Sequence, residues 1–579
     1  MDSHLRGNDG VVRQRQYDGI GNEVPTTNIA HALTAMARAQ PDAVALRVPR
    51  TRATAGGETH DAMTYAQLDR LSDELAAGLV AIAVGEGVRA ALMVRPGIEF
   101  FALMFALFKA RAVPVLIDPG IDRRALKACL DEAAPAAFIG IPLAQAARIA
   151  LRWARRSVRT VVTVGARWGW GGWTWETLRA LGASRLAAAS SRAEQPTDPD
   201  ALAAILFTSG STGVPKGVEY THANFRAQVE MIRSAFAIAP GEADLPTFPP
   251  FALFDPALGM TSVIPAMDFT KPGTADPVVL AETIARHGCT TMFGSPALLD
   301  TLSRHAQAHG VTLPTLRRVI SAGAPVRPDV VERALRMLPP DARLWTPYGA
   351  TECLPVAVIE GREILALRAR SEGGDGICVG RPTPPNVVRI IAIDDAAIGS
   401  WDDVRDVAPG EVGEITVVGP TTTRAYFNRA QATMLAKIVE KSGTQVRIVH
   451  RMGDVGWFDE QGLLWYAGRK SHRVETAGGP LYTEMVEGVF NVHGQVRRTA
   501  LVGVGARGAQ HPVLCVELAP GVPARRWQQV RDELLAIGMN NARTRTITDL
   551  RLHPRFPVDI RHNAKIGREV LARWAAKAR

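Results

Sequence analysis

The segment Thr208 to Gly217 reads TSGSTGVPKG, setting the hydroxyls of Thr208, Ser209, Ser211 and Thr212 among Gly210, Gly213 and Gly217, with Lys216 close to its end. Glycine leaves backbone N–H groups unscreened, so such a loop can surround an anion with main-chain and side-chain donors together. The apolar run Ala203 to Phe207 precedes it and Val218, Glu219 and Tyr220 follow, so it joins two strand-like segments. The chemistry this indicates is the gripping of phosphates. It is not the P-loop pattern, in which glycine precedes the lysine and Ser or Thr follows it, because Pro215 and Gly217 flank Lys216. A plain surface turn has the same composition. Nucleotides sit at strand-to-loop junctions of α/β proteins, and partner groups elsewhere in the chain decide between the two readings.

Four further segments supply such groups. Trp345 to Glu352 reads WTPYGATE, and a turn at Gly349 would present Tyr348, the Thr351 hydroxyl and the Glu352 carboxylate together, for an aromatic base, a phosphate oxygen and Mg²⁺. Ser321 to Val326, SAGAPV, is a turn of small residues (Ala322, Gly323, Ala324, Pro325) against which a flat base can slide. Asp454, in Met452-Gly453-Asp454, places a carboxylate suited to ribose hydroxyls, with Arg469 shortly beyond. His562 to Arg568, HNAKIGR, carries Lys565 near the C-terminus. Taken singly, each has an ordinary explanation: loop Asp and Arg residues face solvent, and Lys565 between Arg561 and Arg568 reads as a solvated basic face.

The elements that would hold these groups alternate. Thr64-Tyr65-Ala66-Gln67 has capping-box form and opens an amphipathic helix through Leu68, Leu71, Leu75 and Leu79, after which Ala90 to Val94 reads as a strand. Helix at Phe100 to Lys109, strand at Val113 to Ile117, helix at Arg123 to Glu132 and strand at Ala136 to Ile141 follow. Thr221 can cap a helix with Phe225, Val229, Ile232 and Phe236 on one face. The pattern predicts an α/β protein: a large multi-layer N-terminal body with parallel-rich sheets, residues 25–469, and a small α+β C-terminal lid domain, residues 470–579, with strands at Thr499 to Val504 and Val513 to Leu518. Residues 1–24, polar and glycine-containing, are expected to be a disordered extension or the product of a start codon assigned too early.

At 579 residues, the chain exceeds what one hydrophobic core usually supports. Its net charge of +10 is spread over scattered arginines without a basic stripe, which argues against nucleic acid as the partner. Five widely separated cysteines show neither metal spacing nor an even disulfide count, which points to a reducing, cytoplasmic setting. The run Phe100 to Phe108 is about half the roughly 20 residues of a membrane span and reads as a buried helix. Trp168, Trp170, Trp173 and Trp175, interleaved with glycines, suit either a stacking platform or packing around a turn, and burial in a turn is the expectation.

In this order the segments resemble the adenylate-forming superfamily of acyl-CoA synthetases, luciferases and nonribosomal-peptide adenylation domains, over nearly all the chain after about Pro25. The resemblance implies ATP and Mg²⁺ as cofactors. The loop from Thr208 to Lys216 would grip ATP phosphates, Ala322 to Pro325 and Tyr348 with Gly349 would flank adenine, and Thr351 would contact the α-phosphate. Glu352 would bind Mg²⁺, Asp454 the ribose, with Arg469 in support. Lys565 would stabilise the adenylation transition state from the lid, which would hinge near Ser471. Two departures matter. Where many acyl-CoA synthetases have a histidine in a Leu-Pro-x-Phe-His segment, Phe248 to Gly259 reads FPPFALFDPALG with Ala252 at that place, and the usual hinge acid or lysine is Ser471. Both put thioester formation in doubt and leave adenylation its named groups.

The strings FPPFALFDPALG, WTPYGATECLPV and FPVDIRHNAKIGRE are similar to the β-lactone-forming branch of that superfamily in bacterial long-chain hydrocarbon biosynthesis. That resemblance implies adenylation of a long-chain 2-alkyl-3-hydroxy acid, then attack by its own 3-hydroxyl to give a β-lactone, AMP and diphosphate without coenzyme A. A thiolase, a reductase and a β-lactone decarboxylase would be the pathway partners. Asp255 and His222 are candidates for the base, His222 also matching a family Thr-His pair that orients the phosphate loop. Phe251, Phe254, Gly294 and Leu354 are candidate pocket walls, with core packing as the alternative. Competing readings are a fatty-acid CoA ligase or fatty acyl-AMP ligase and, in another class, a non-catalytic nucleotide-binding scaffold.

Overall fold

Alternating apolar residues on short strands send side chains to both faces of a sheet, and each face then needs its own cover of helices. The computed structural model, which describes residues 28–50, 60–118, 121–188, 197–208, 214–558 and 566–577, meets that need with layered α/β architecture. Residues 1–24, expected to be disordered, lie outside the described residues.

One sheet has seven strands in the order Trp173–Thr174, Thr160–Thr163, Ala137–Gly140, Arg89–Met93, Val113–Leu116, Leu202–Phe207, Gly217–Thr221, all parallel except the last pair. Its face carrying Leu92, Leu116 and Leu206 packs into the largest core with the helices Tyr65–Ala81 and Ile98–Lys109. The opposite face, with Ala91, Val115, Ile205 and Phe207, is covered by the helices Arg123–Ala133 and Pro142–Ala150. Thr64 caps its helix in a full capping box with Gln67, and the apolar run Phe100 to Phe108 is buried throughout its helix. No helix among the described residues is long and apolar enough to cross a membrane. All five cysteines are free and buried.

A second sheet of fourteen strands has a parallel centre (Ala243–Pro246, Thr291–Gly294, Arg318–Ser321, Arg343–Ala350) and turns antiparallel from Cys353–Glu360 onward, through Gln445–Phe458 and Leu464–Arg469. After Arg469 the chain leaves this sheet. It builds a three-stranded sheet of Val496–Val504, His511–Leu518 and Asp549–Leu552, with the helices Thr483–Phe490, Trp527–Met539 and Arg568–Lys577. Cores around Phe490 and Leu514, and around Phe556 and Leu571, belong to this segment alone. The tryptophan cluster is only partly buried: Trp168 and Trp173 are exposed, Trp170 donates its Nε1 to Thr163 Oγ1 at 3.0 Å, and Trp175 packs against the largest core. Gly169, Gly171 and Gly172, all at positive φ, shape this turn at the sheet edge.

Candidate active site

The hydroxyl loop hangs between antiparallel strands, as expected. Thr208 N donates to Lys216 O at 3.0 Å and Lys216 N donates to Thr208 Oγ1 at 3.1 Å, closing the neck of the loop. Ser209, Gly210, Ser211, Thr212 and Gly213 lie outside the described residues. Lys216 Nζ stands 4.5 Å from the centre of the Tyr426 ring, a cation–π contact that aims the ammonium along the floor of a cavity.

That cavity, about 3110 Å³, is lined by Thr208, Lys216, the turn Ala322 to Pro325, Tyr348 to Glu352, Asp454 and Arg469, and also by Ile566 and Arg568 of the C-terminal segment. Small-ligand pockets usually occupy about 300–1,000 Å³, so there is room for a nucleotide together with a second, large ligand. The turn from Ala322 directly follows the strand Arg318–Ser321, and Gly323 there has φ +97°, a conformation that side chains other than glycine seldom adopt.

Tyr348 lies on Arg343–Ala350, and its hydroxyl donates to Asp454 Oδ2 at 2.6 Å. Asp454 and Arg469 face each other across neighbouring strands, with Arg469 Nη1 at 2.9 Å from Asp454 Oδ1. Burial pushes the Asp454 carboxyl up from the ordinary carboxylate range, and the Arg469 guanidinium and the Tyr348 hydroxyl oppose that push. Its two oxygens are thus directed to Tyr348 and to Arg469, and the carboxylate stands in the wall of the cavity.

The reversal in WTPYGATE is at Thr351-Glu352, not at Gly349, since Ala350 pairs with Cys353. Gly349 serves close approach instead: a Cβ there would stand 2.9 Å from Leu354 Cβ and 3.0 Å from Cys353 O. The turn is fastened on both sides. Tyr220 donates its hydroxyl to Thr351 O, while Thr423 N and Oγ1 each donate to Glu352 O at 3.0 Å. Tyr426 donates its hydroxyl to Glu352 Oε1 at 2.5 Å, and burial beside Glu352 raises the pKa of that phenol, keeping it a donor. Beneath them, Lys437 Nζ donates to Thr423 O at 2.5 Å. Burial pushes the Lys437 ammonium down to about 8, against the pull of Glu352. Tyr426, Thr423 and Lys437 escaped the sequence reading. The threonine run Thr421 to Thr423 after Gly419-Pro420 is the one signal that marked their region.

Of the candidate pocket walls, Phe251, Phe254 and Leu354 line the cavity, and Phe251 stacks on Phe293 with ring centres 4.0 Å apart. Gly294 is not among the lining residues. There a Cβ would meet Leu298 Cδ2 at 3.2 Å, so it serves packing. Ala252 is buried. The two candidate bases are elsewhere. Asp255 is buried and accepts from Ser262 Oγ away from the cavity, and burial with Asp244 nearby pushes its carboxyl well above the ordinary carboxylate range. His222 is buried against the Phe108 ring, its Nδ1 accepting from Ile29 N at 3.2 Å, so it anchors the segment before the helix His31–Ala39. Lys565 lies outside the described residues, but the chain on its C-terminal side is fixed: Ile566 bridges Val558, and Gly567 N donates to Pro557 O at 2.8 Å.

The His222 environment has a measurable consequence. Burial pushes its imidazole down from 6.5 to about 4, so an unfolded chain takes up a proton in that window that the folded one refuses. Stability present above pH 6.5 is therefore lost as pH falls toward 4, by about 3 kcal/mol from this residue. Denaturant melts at stepped pH are expected to show that loss, and His222→Asn, which takes up no proton, to make it shallower by about one proton.

The pattern of the AMP-binding enzyme family matches residues 33–427. Olefin β-lactone synthetase of Xanthomonas campestris pv. campestris is 59% identical over 561 residues, covering 96% of this chain and 99% of its own. The protein of the same description from Stenotrophomonas maltophilia is 58% identical, covering 95% and 98%. Among solved structures, the amide bond synthetase McbA from Marinactinospora thermotolerans superposes with a TM-score of 0.73 at 23% identity, covering 95% of this chain and 100% of its own, a likeness of fold.

Proposed function

The chain belongs to the AMP-binding enzyme family, and from that premise we propose that it uses ATP to adenylate a long-chain 2-alkyl-3-hydroxy acid and closes the product to a β-lactone. The observation that carries this reading is the single cavity in which the groups suited to a nucleotide adjoin an apolar wall of Phe251, Phe254 and Leu354, in a chain close to its β-lactone-forming relatives over nearly its whole length.

A carboxylate oxygen of the acid attacks the α-phosphorus of ATP and diphosphate leaves. The 3-hydroxyl oxygen then attacks the activated carbonyl, AMP leaves, and the hydroxyl proton passes to solvent. The nucleophile of the second step is already tethered near its target, so the site has chiefly to fold the substrate and exclude water. Asp454 holds the ribose hydroxyls, oriented by Tyr348 and Arg469. The Ala322 to Pro325 turn and Tyr348 enclose the base, and Thr208 and Lys216 face the phosphates. Lys565 is assigned the developing charge at the α-phosphorus.

Mg²⁺ fits the oxygen donors present. Glu352 Oε1 is engaged by Tyr426, which leaves Oε2 and the neighbouring Thr351 hydroxyl for a hard cation. No group of three or more His, Cys, Asp or Glu among the described residues could hold a metal alone, in keeping with a metal shared between one carboxylate and substrate phosphates. When bound, the metal neutralises phosphate charge. In this reading the substrate comes from thiolase and reductase partners and the product goes to a β-lactone decarboxylase.

The test is product identification. With ATP, Mg²⁺ and a synthetic 2-alkyl-3-hydroxy acid, mass spectrometry and NMR are expected to show β-lactone and AMP in equal amounts without coenzyme A. A thioester formed only when coenzyme A is added, with no lactone in its absence, would return the chain to the CoA ligases.

A further inference from the structure

The cavity reaches both faces of the seven-stranded sheet. Strand residues alternate, so at the C-terminal ends of its parallel strands Leu92, Leu116 and Leu206 point to one face while Met93, Ile117 and Phe207 point to the other, and all six line the same cavity. On the first face it continues between the sheets, along Phe100, Met104 and Phe105 of one helix and Val229 and Ile232 of another. On the second face it continues over the helices Arg123–Ala133 and Pro142–Ala150, along Leu126, Ala144, Ala147 and Trp153. The second branch is a groove whose lip is apolar yet wet: Leu143 is 65% and Leu151 38% exposed. Apolar side chains that form a continuous patch along a surface groove mark a ligand-binding or interaction site.

We infer that these are two hydrocarbon-binding arms, and that the outer groove over the helix Pro142–Ala150 receives the second alkyl chain of the substrate while the inner arm receives the first. The inference rests on the function proposed above, whose substrate branches at the carbon beside the carboxylate and so must send two long chains away from one reacting centre. Two arms diverging around the strand ends answer that shape, with the nucleotide groups where they part. A straight-chain acid would need only the inner arm. The outer groove's continuity with the site, and the predominance of apolar side chains at Leu126, Ala144, Ala147, Leu143 and Leu151, select a hydrocarbon chain as its occupant, with the Trp153 indole N–H as the one polar group among these wall side chains.

The experiment measures diphosphate release with two substrate series, each lengthening one chain stepwise while the other is held constant. This readout follows adenylation whatever becomes of the adenylate, so a failure of lactone formation is seen separately in the products of the unmodified protein. Unmodified protein is expected to gain about twofold to fourfold in kcat/KM per added methylene in each series. Ala147→Trp, which fills the outer groove, is expected to remove that gain for one chain, by about tenfold or more at the longest members, and to keep it for the other. Met104→Trp in the inner arm is expected to do the converse. Leu143→Glu, at an exposed position on the lip, is expected to act in the direction of Ala147→Trp and serves if the tryptophan variant does not fold. Length profiles left unchanged by both outer-groove variants, or lowered equally in both series, would overturn the inference.

Discussion

Glu352→Gln is expected to lower the rate of diphosphate release at saturating substrates by about 10²–10³-fold and to raise the Mg²⁺ concentration needed for half-maximal activity, with little change in thermal stability. The substitution keeps the shape of the side chain, and an amide oxygen still accepts from Tyr426. The backbone of the turn stays fastened, since Thr423 holds the Glu352 carbonyl and Tyr220 holds that of Thr351. What is lost is one negative charge, so a large kinetic effect without a matching fall in stability isolates charge from geometry. Tyr426→Phe removes the hydrogen bond at 2.5 Å and keeps the charge, and is expected to cost only about tenfold, the carboxylate being freer to turn. Activity of Glu352→Gln within about threefold of the unmodified protein would remove Glu352 from the metal's place.

Which parts of this site the sequence revealed follows from how each was assembled. What contiguous strings announce is proximity: Thr208 and Lys216, Ala322 to Pro325 and Tyr348 to Glu352 stand at or beside strand ends and line one cavity. Asp454 and Arg469 are expected from the sequence to serve one nucleotide; that they also form an ion pair follows from register across adjacent strands, which no local spacing shows. The support beneath Glu352 was not legible. Tyr426 is 74 residues away along the chain and Lys437 hydrogen-bonds to Thr423 beneath the turn, so no local spacing announces them.

The misplaced residues each have their own cause. Asp255 sits on a helix of four residues, Asp255–Leu258, too short for periodicity to say which side faces inward, and it turned to Ser262 rather than to the cavity. Phe251 and Phe254, flanking the same bend, face the cavity. The Gly349 turn was expected because glycine commonly marks turns, but here a close approach of Leu354 requires it. His222 looked chemical because it is a histidine beside a phosphate loop. Burial in apolar surroundings instead suits it to anchoring the chain near Ile29.

Lys565→Ala and Arg568→Ala, three residues apart, are expected to fail in opposite ways. Lys565 is assigned to the charge that develops at the α-phosphorus, and its loss is expected to lower adenylation by about 10²–10³-fold while the melting temperature stays put. Arg568 is buried, with Nη2 at 2.9 Å from Glu487 Oε2 and 3.7 Å from Glu484. Glu487 in turn accepts from Leu501 N at 2.7 Å, so this pair ties the helix Arg568–Lys577 to the helix and the strand beside it. Its removal leaves a buried carboxylate without its cation, a loss of about 3–5 kcal/mol for the C-terminal segment. Because Arg568 also lines the cavity and fixes the chain next to Lys565, its activity should fall with the loss of structure and recover in part at low temperature. The Lys565→Ala defect should persist at every temperature at which the protein is folded. Diphosphate release measured alongside thermal melts separates the two, and equal, temperature-independent defects would mean that Lys565, like Arg568, acts through position and not through its charge.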